Sequence, residues 1–152
     1  MKDKIIIREA CRHELPHILE LYKDLHIKDD PLPEESELKR IWDDIYENPL
    51  LKYLVLESEG EIVSTCALSI IPNLTRGARP YGLIENVVTK KKYQGKGFGT
   101  SIVKHALKTA WELNCYKVML LTSRKDEKVH RFYEKAGFEK GVKTGFVLYS
   151  DG

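Results

Sequence analysis

Three observations on the 152-residue sequence predict a mixed α/β fold around one central sheet. Two runs of β-branched and aromatic residues, 52–57 and 61–71, are separated only by Ser58-Glu59-Gly60, which predicts an antiparallel hairpin. Downstream, an apolar run at 83–89, a glycine-rich loop, an amphipathic helix and a second apolar run at 117–122 follow in order. That order requires a parallel strand pair joined by a crossover helix. No repeat, linker or low-complexity tract interrupts the chain, and its length supports one core, so a single domain over 1–152 is expected.

Each element has its own signal. Residues 5–10 read as a strand, and 14–25 as a helix because Leu15, Ile18, Leu21, Tyr22 and Leu25 recur at helical spacing. Lys28-Asp29-Asp30-Pro31-Leu32-Pro33 has turn chemistry; Ser36 and Glu37 then start a short second helix with the stripe Leu38, Ile41, Trp42 and Ile45, stopped by Asn48-Pro49. The loop 73–82 is rich in turn formers and carries Arg76 and Arg79. In the central strand 83–89, Glu85 and Asn86 are polar exceptions. In the helix over 97–113, Ile102, Val103, Ala106, Leu107, Ala110 and Leu113 mark one face, with Lys104 and Lys108 on another. The run 117–122 is of the kind covered on both faces, 127–136 is a helix ended by Gly137, and 146–149 closes the sheet. Trp42 and Trp111 occupy core positions on their helices.

Composition removes several function classes. The 25 basic and 23 acidic residues give no bulk attraction to a nucleic-acid backbone, so anion binding must be local and no nucleic-acid partner is expected. Met1-Lys2-Asp3-Lys4 followed by Ile5-Ile6-Ile7 leads straight into Arg8 and Glu9, which is not a secretory leader, and no stretch is long and apolar enough to span a membrane. Cys11, Cys66 and Cys115 are widely spaced, without metal-ligand pairing. They fit buried thiols in a reducing, cytoplasmic setting, and no metal is expected.

The densest chemical signal is Gln94-Gly95-Lys96-Gly97-Phe98-Gly99-Thr100. Its alternating glycines remove side chains that would hold a ligand off the backbone, just where a helix begins and its amides and dipole converge on an anion. Lys90, Lys91, Lys92 and Lys96 crowd the same turn, so a diphosphate is the natural guest. A Walker loop fails here because Lys90 stands where its first glycine belongs and Gly97 where its Ser or Thr belongs. The dinucleotide fingerprint is weak because Thr100 replaces its third glycine.

These residues resemble a family. Gln94-Gly95-Lys96-Gly97-Phe98-Gly99 matches the Q/R-x-x-G-x-G/A signature of the Gcn5-related N-acetyltransferases. Phe132-Tyr133-Glu134-Lys135-Ala136-Gly137-Phe138 is similar to the family's F/L-Y-x-x-x-G-F segment. The resemblance covers the whole chain in element order. It implies a bulged central strand that splays from its neighbour to leave a V-shaped cleft, acetyl-CoA as co-substrate and an amine as acceptor; such proteins often form homodimers. Asp126 departs from the asparagine common at its place in the family.

Acyl transfer from a thioester needs a neutral amine, a stabilised oxyanion and a proton for the departing thiolate. Tyr133 lies where the family commonly has a proton donor. Glu85, read as a buried carboxylate in the central strand, is the candidate base, directly or through water. Asn86 is expected to alternate to the opposite face, unable to share a pocket with Glu85. A bulge would free an amide at Val87 or Val88 for the acetyl carbonyl, making Val87, Val88 and Thr89 backbone contacts, with residues 94–100 holding the diphosphate: Gln94, Gly95, Lys96, Gly97, Phe98, Gly99 and Thr100. His130 reads as a helix-surface residue. For the acceptor, the acidic segment Asp29, Asp30, Glu34, Glu35 and Glu37 favours a cation and Arg76 with Arg79 an anion. Asn114-Cys115-Tyr116-Lys117 is similar to glucosamine-6-phosphate acetyltransferases, which makes an amino-sugar phosphate one alternative and a non-catalytic acyl-CoA-binding module another.

Overall fold

The computed structural model describes residues 4–26 and 28–151, so Met1, Lys2 and Asp3 of the amino-terminal reading lie outside the described residues. The chain divides into two compact units, 1–120 and 121–152. The first unit runs β1 (Ile5–Glu9), a 3-10 turn (Arg12–Glu14), α1 (Leu15–Tyr22), α2 (Glu35–Glu47), β2 (Leu51–Ser58), β3 (Glu61–Ile71), a four-residue turn α3 (Thr75–Ala78), β4 (Tyr81–Thr89), a second 3-10 turn (Lys91–Tyr93), α4 (Phe98–Glu112) and β5 (Val118–Leu120). The second holds α5 (Glu127–Lys135).

The sheet has the order β1-β2-β3-β4-β5, antiparallel except for the β4–β5 pair. This is the mixed α/β architecture that the hairpin and the crossover predict. One face buries Ile18 and Leu21 of α1 and Trp42 of α2 against Val55, Ile62 and Val88. On the other, α4 packs against β2, β3 and β4 through Ile102, Val103, Ala106 and Ala110, all fully buried. The alternation of β2 and β3 explains the division, since successive side chains serve the two helical layers in turn. Trp42 is fixed further by its indole Nε1–H, which donates to the Arg12 carbonyl at 2.7 Å, and by an edge contact with Tyr53 at 5.6 Å.

Three expectations about packing fail. Trp111 is 51% exposed, because the buried stripe of α4 is centred on Ala106 and Ala110 and Trp111 lies on the opposite side of the helical wheel. The run 117–122 pairs only over Val118–Leu120, and its residues are half-buried; β5 is an edge strand with β4 on one side, and Leu121 is 61% exposed. Residues 146–149 form no strand, and Phe146 and Leu148 are 91% and 97% exposed. β-branched and aromatic residues make a strand only where a neighbour completes the backbone ladder, and among the described residues none does so here. No helix among the described residues is long and apolar enough to cross a membrane, and none of them group into a cluster that could hold a metal.

An ion pair ties β1 to the start of α1. Glu14 is 6% exposed; it takes Arg8 Nη1 and Nη2 at 2.7 and 2.8 Å and the Cys11 amide at 2.6 Å. Hydrogen bonding from Arg8 outweighs desolvation and holds the carboxyl down at about 2. Because the folded group ionises below its ordinary 4.5, the pair contributes in full above that pH and is lost as pH falls towards 2. Urea titrations from pH 6 to pH 2.5 are expected to show about 2 kcal/mol of stability lost through this window, and Glu14→Gln should lower stability at pH 6 by a similar amount and flatten the dependence.

Candidate functional site

The centre of β4 is irregular on both edges. Against β3, Thr65 pairs with Val88 and Ala67 with Glu85, so Cys66 alone faces both Asn86 and Val87. Two residues against one is a β-bulge, and Asn86 carries its strain at a φ of 55°. Against β5, pairing ends at Ile84 and Leu120, so residues 85–89 of β4 have no β5 partner among the described residues. The Gly82 amide donates to the Lys117 carbonyl at 2.9 Å, which fixes which groups of β4 face β5 before the bulge. Beyond the bulge, Ser64 Oγ donates to the Val88 carbonyl at 3.1 Å and Lys90 N donates to the Val63 carbonyl at 2.8 Å. Val88 and Lys90 therefore turn to β3, and alternation puts the amides of Val87 and Thr89 on the open edge.

The bulge also changes where side chains go. Glu85 shares the α1 and α2 face with Ala67 and Val88, and it is exposed, so the burial expected of it is absent: sharing a face with the buried Val88 does not carry the cover of that core along the strand. Asn86 does not alternate away. Its side chain lies beside Tyr22 of α1, because the extra residue breaks the two-residue period on which the expectation of opposite faces rested. The Tyr22 hydroxyl is the one buried side-chain polar atom without a hydrogen-bond partner among the described residues. Burial pushes it well above the usual phenol range, Tyr53 adds to the rise and Asn86 opposes it. The sequence offered no sign of this, since Tyr22 is indistinguishable there from the apolar stripe of α1.

The open edge of β4 runs into the glycine loop. Gln94 Nε2 donates to the Thr89 carbonyl at 3.1 Å, folding the loop back on the strand end. Gly95 and Gly97 sit at φ of 83° and 85°, the left-handed region where a side chain is strained, and Gly97 is the N-cap of α4. Phe98 is buried at 4% exposure and anchors the helix start, while Gly95, Lys96 and Gly97 stay exposed. No acidic residue occupies the first turn, and no side chain caps it. The first-turn amides of Phe98, Gly99 and Thr100 are thus left for an outside acceptor.

The lysines are not equivalent. Lys90 is committed to Glu61 at 2.7 Å, and the same carboxylate takes the Tyr93 hydroxyl, which together hold it below the usual range. Lys92 and Lys96 instead lie 5.0 and 5.5 Å from the Tyr93 ring centroid. Among the described residues Lys92 and Lys96 form no ion pair, so an anion at this helix start would meet their charges, with Lys90 serving to brace the turn.

In the second unit, Tyr133 sits near the end of α5. Phe138 N and Gly137 N donate to the carbonyls of Tyr133 and Glu134 at 3.2 and 3.0 Å, a Schellman stop with Gly137 at a φ of 109°. Phe132 and Phe138 pack edge-on to the Tyr133 ring at 4.9 and 6.1 Å. His130 is held at the surface by the Arg124 carbonyl at 2.8 Å and Lys140 at 3.0 Å. Asp126 is the N-cap of α5 but pairs with Arg124 at 3.2 Å and makes no side-chain cap.

Comparison with known proteins joins the glycine loop and the Tyr133 segment in one pattern. The model of the acetyltransferase (GNAT) family matches residues 15–138. A solved chain from Agrobacterium tumefaciens str. C58 is 45% identical, with a TM-score of 0.89 over 95% of this chain and 99% of that one. A Clostridium acetobutylicum chain solved with acetyl-CoA shares the fold at 22% identity and a TM-score of 0.75, over 95% and 96% of the two chains. Among curated proteins, glucosamine 6-phosphate N-acetyltransferase of Trypanosoma brucei brucei is 42% identical over 79 residues, 52% of each chain. The chain thus spans about half the length of that relative. On the match over residues 15–138, this chain belongs to the GNAT acetyltransferase family.

Proposed function

We propose that the protein transfers an acetyl group from acetyl-CoA to a primary amine of a small molecule or protein, by direct attack in a ternary complex. The observation that carries this reading is the open edge of β4, which begins after Ile84 and ends at the glycine-flanked start of α4. An extended, amide-bearing edge leading to an uncapped helix start suits a ligand with an amide-containing arm and a diphosphate. The residues fit that ligand in charge and in the space that Gly95 and Gly97 leave. The family match across 15–138 supports reading 1–152 as one acetyltransferase domain. Three unpaired cysteines support a reducing compartment, which we take to be the cytoplasm.

Acetyl-CoA supplies a thioester whose carbonyl accepts the amine. The amides of Phe98, Gly99 and Thr100, with Lys92 and Lys96, hold the diphosphate. The Val87 amide donates to the carbonyl oxygen, and Val88 lines the strand without offering its own amide. Glu85, exposed on the α1 and α2 face, accepts the proton of the incoming ammonium through water. Tyr133 is the proposed donor to the departing thiolate, on the motif that contains it.

An amine panel scored by free-thiol release from acetyl-CoA tests the reading. At least one amine should give saturable release; thiol release at the background rate with every amine, while acetyl-CoA still binds, would favour a binding module. With the best amine, Tyr133→Phe and Glu85→Gln should each lower kcat by roughly 100-fold or more, and unchanged turnover would remove that residue from the mechanism. Gly97→Ala forces a left-handed alanine at the helix start. It should raise the acetyl-CoA KM about 10-fold and cost about 1–2 kcal/mol of stability, both measurable on the purified variant.

A further inference from the structure

We propose that the start of the β4–β5 pair holds an oxyanion carried by the acceptor, a phosphate or a carboxylate, so that the enzyme selects an anionic amine. This rests on the acetyltransferase reading and adds the acceptor's class to it.

Two cations converge there on one ring. Arg76 Cζ lies 5.9 Å and Lys117 Nζ 5.3 Å from the Tyr116 centroid, and Lys117 Nζ lies 5.0 Å from that of Tyr81, which meets Tyr116 edge-on at 6.4 Å. Among the described residues no carboxylate pairs with either cation, whereas Arg8, Arg12, Arg40, Lys90 and Arg124 all have one. Like charges gathered without an anion repel, and a bound oxyanion relieves that repulsion.

The surrounding backbone is built rather than loose. Arg79 donates from Nε and Nη2 to the carbonyls of Asn114 and Cys115, each at 3.3 Å, and Tyr116 N donates to the Pro80 carbonyl at 3.0 Å. Arg79 therefore braces the loop, and of the two arginines near the strand only Arg76 is left to meet a ligand. Arg76, Gly77 and Ala78 all hold φ between 56° and 73°, although two of the three are not glycine. Strain of this sort persists where surrounding structure enforces it, so the turn holds Arg76 at a fixed place beside the strand start.

Position links the cluster to the reaction. Tyr81 and Glu85 are on one face of β4, since both precede the bulge and are separated by an even number of residues. The separation is about 13 Å along the strand, which the side chains at each end shorten. An amine with an oxyanion a few bonds away, on a skeleton the size of a hexose, would reach both.

The test uses the full-length protein and amines that differ only in their anionic group: an amino sugar, its phosphate monoester and its carboxylate counterpart. The phosphate or carboxylate form should have a KM at least about 10-fold below the neutral form, and Lys117→Met or Arg76→Ala should erase that advantage while leaving the neutral amine and acetyl-CoA unchanged. Which anionic form wins identifies the oxyanion. In parallel, inorganic phosphate is titrated at constant ionic strength and followed by amide chemical shifts: saturable shifts at 75–78 and 116–117, lost in Lys117→Met, are expected. Equal KM values for all three amines, or no saturable phosphate shift in the wild-type protein, overturn the proposal. If none of the three is acetylated, the broader amine panel decides the transfer reading and the phosphate titration still decides the site.

Discussion

The interrupted pairing of β4 is the constraint on which the candidate site depends. A strand inside a sheet normally spends its amides on two neighbours. β4 loses its β5 partner after Ile84 and its regular register with β3 at Cys66, so backbone groups come free at one place while the strand stays anchored at both ends. The anchors are the Ile84 and Leu68 packing beneath α4 on one side and the Val88 pairing with Thr65 on the other. The bulge is thus held by a rigid core, which is what keeps a strained Asn86 in place.

Charge is distributed to match. Lys90 and Tyr93 are fixed by Glu61 behind the loop, and Arg79 is fixed by the carbonyls at the end of α4, so two potential anion ligands are instead structural braces. Lys92, Lys96, Arg76 and Lys117 face rings rather than carboxylates. A cation over a ring is held in position yet keeps its charge for a ligand. In the first unit the cations over rings without a carboxylate thus fall at the two ends of β4, one group by the glycine loop and one by the strand start.

Much of this was legible in the sequence, for reasons that differ by residue. The glycine loop was readable because its φ values admit little but glycine, and the crossover because strand, loop, helix and strand leave few topologies. The bulge itself came only through the family resemblance, since residues 83–89 carry no local mark of an extra residue. That is why Asn86 was assigned to the wrong face; Glu85 was read as buried because the run around it is apolar, which says nothing of what covers one position. Trp111 misled because an aromatic residue beside a buried stripe looks like part of it in one dimension. Residues 146–149 misled because strand propensity cannot say whether a partner is present. Tyr22 was invisible because a buried, unpaired hydroxyl is a property of packing.

Amide chemical shifts of the wild-type protein titrated with CoA report on the freed edge of β4, because they read the backbone groups themselves. The largest shifts are expected on Val87, Thr89 and residues 95–100, with Val88 moving less than its neighbours because it faces β3. Large shifts confined to other parts of the sheet, with residues 87–89 and 95–100 unmoved at saturating CoA, would contradict it.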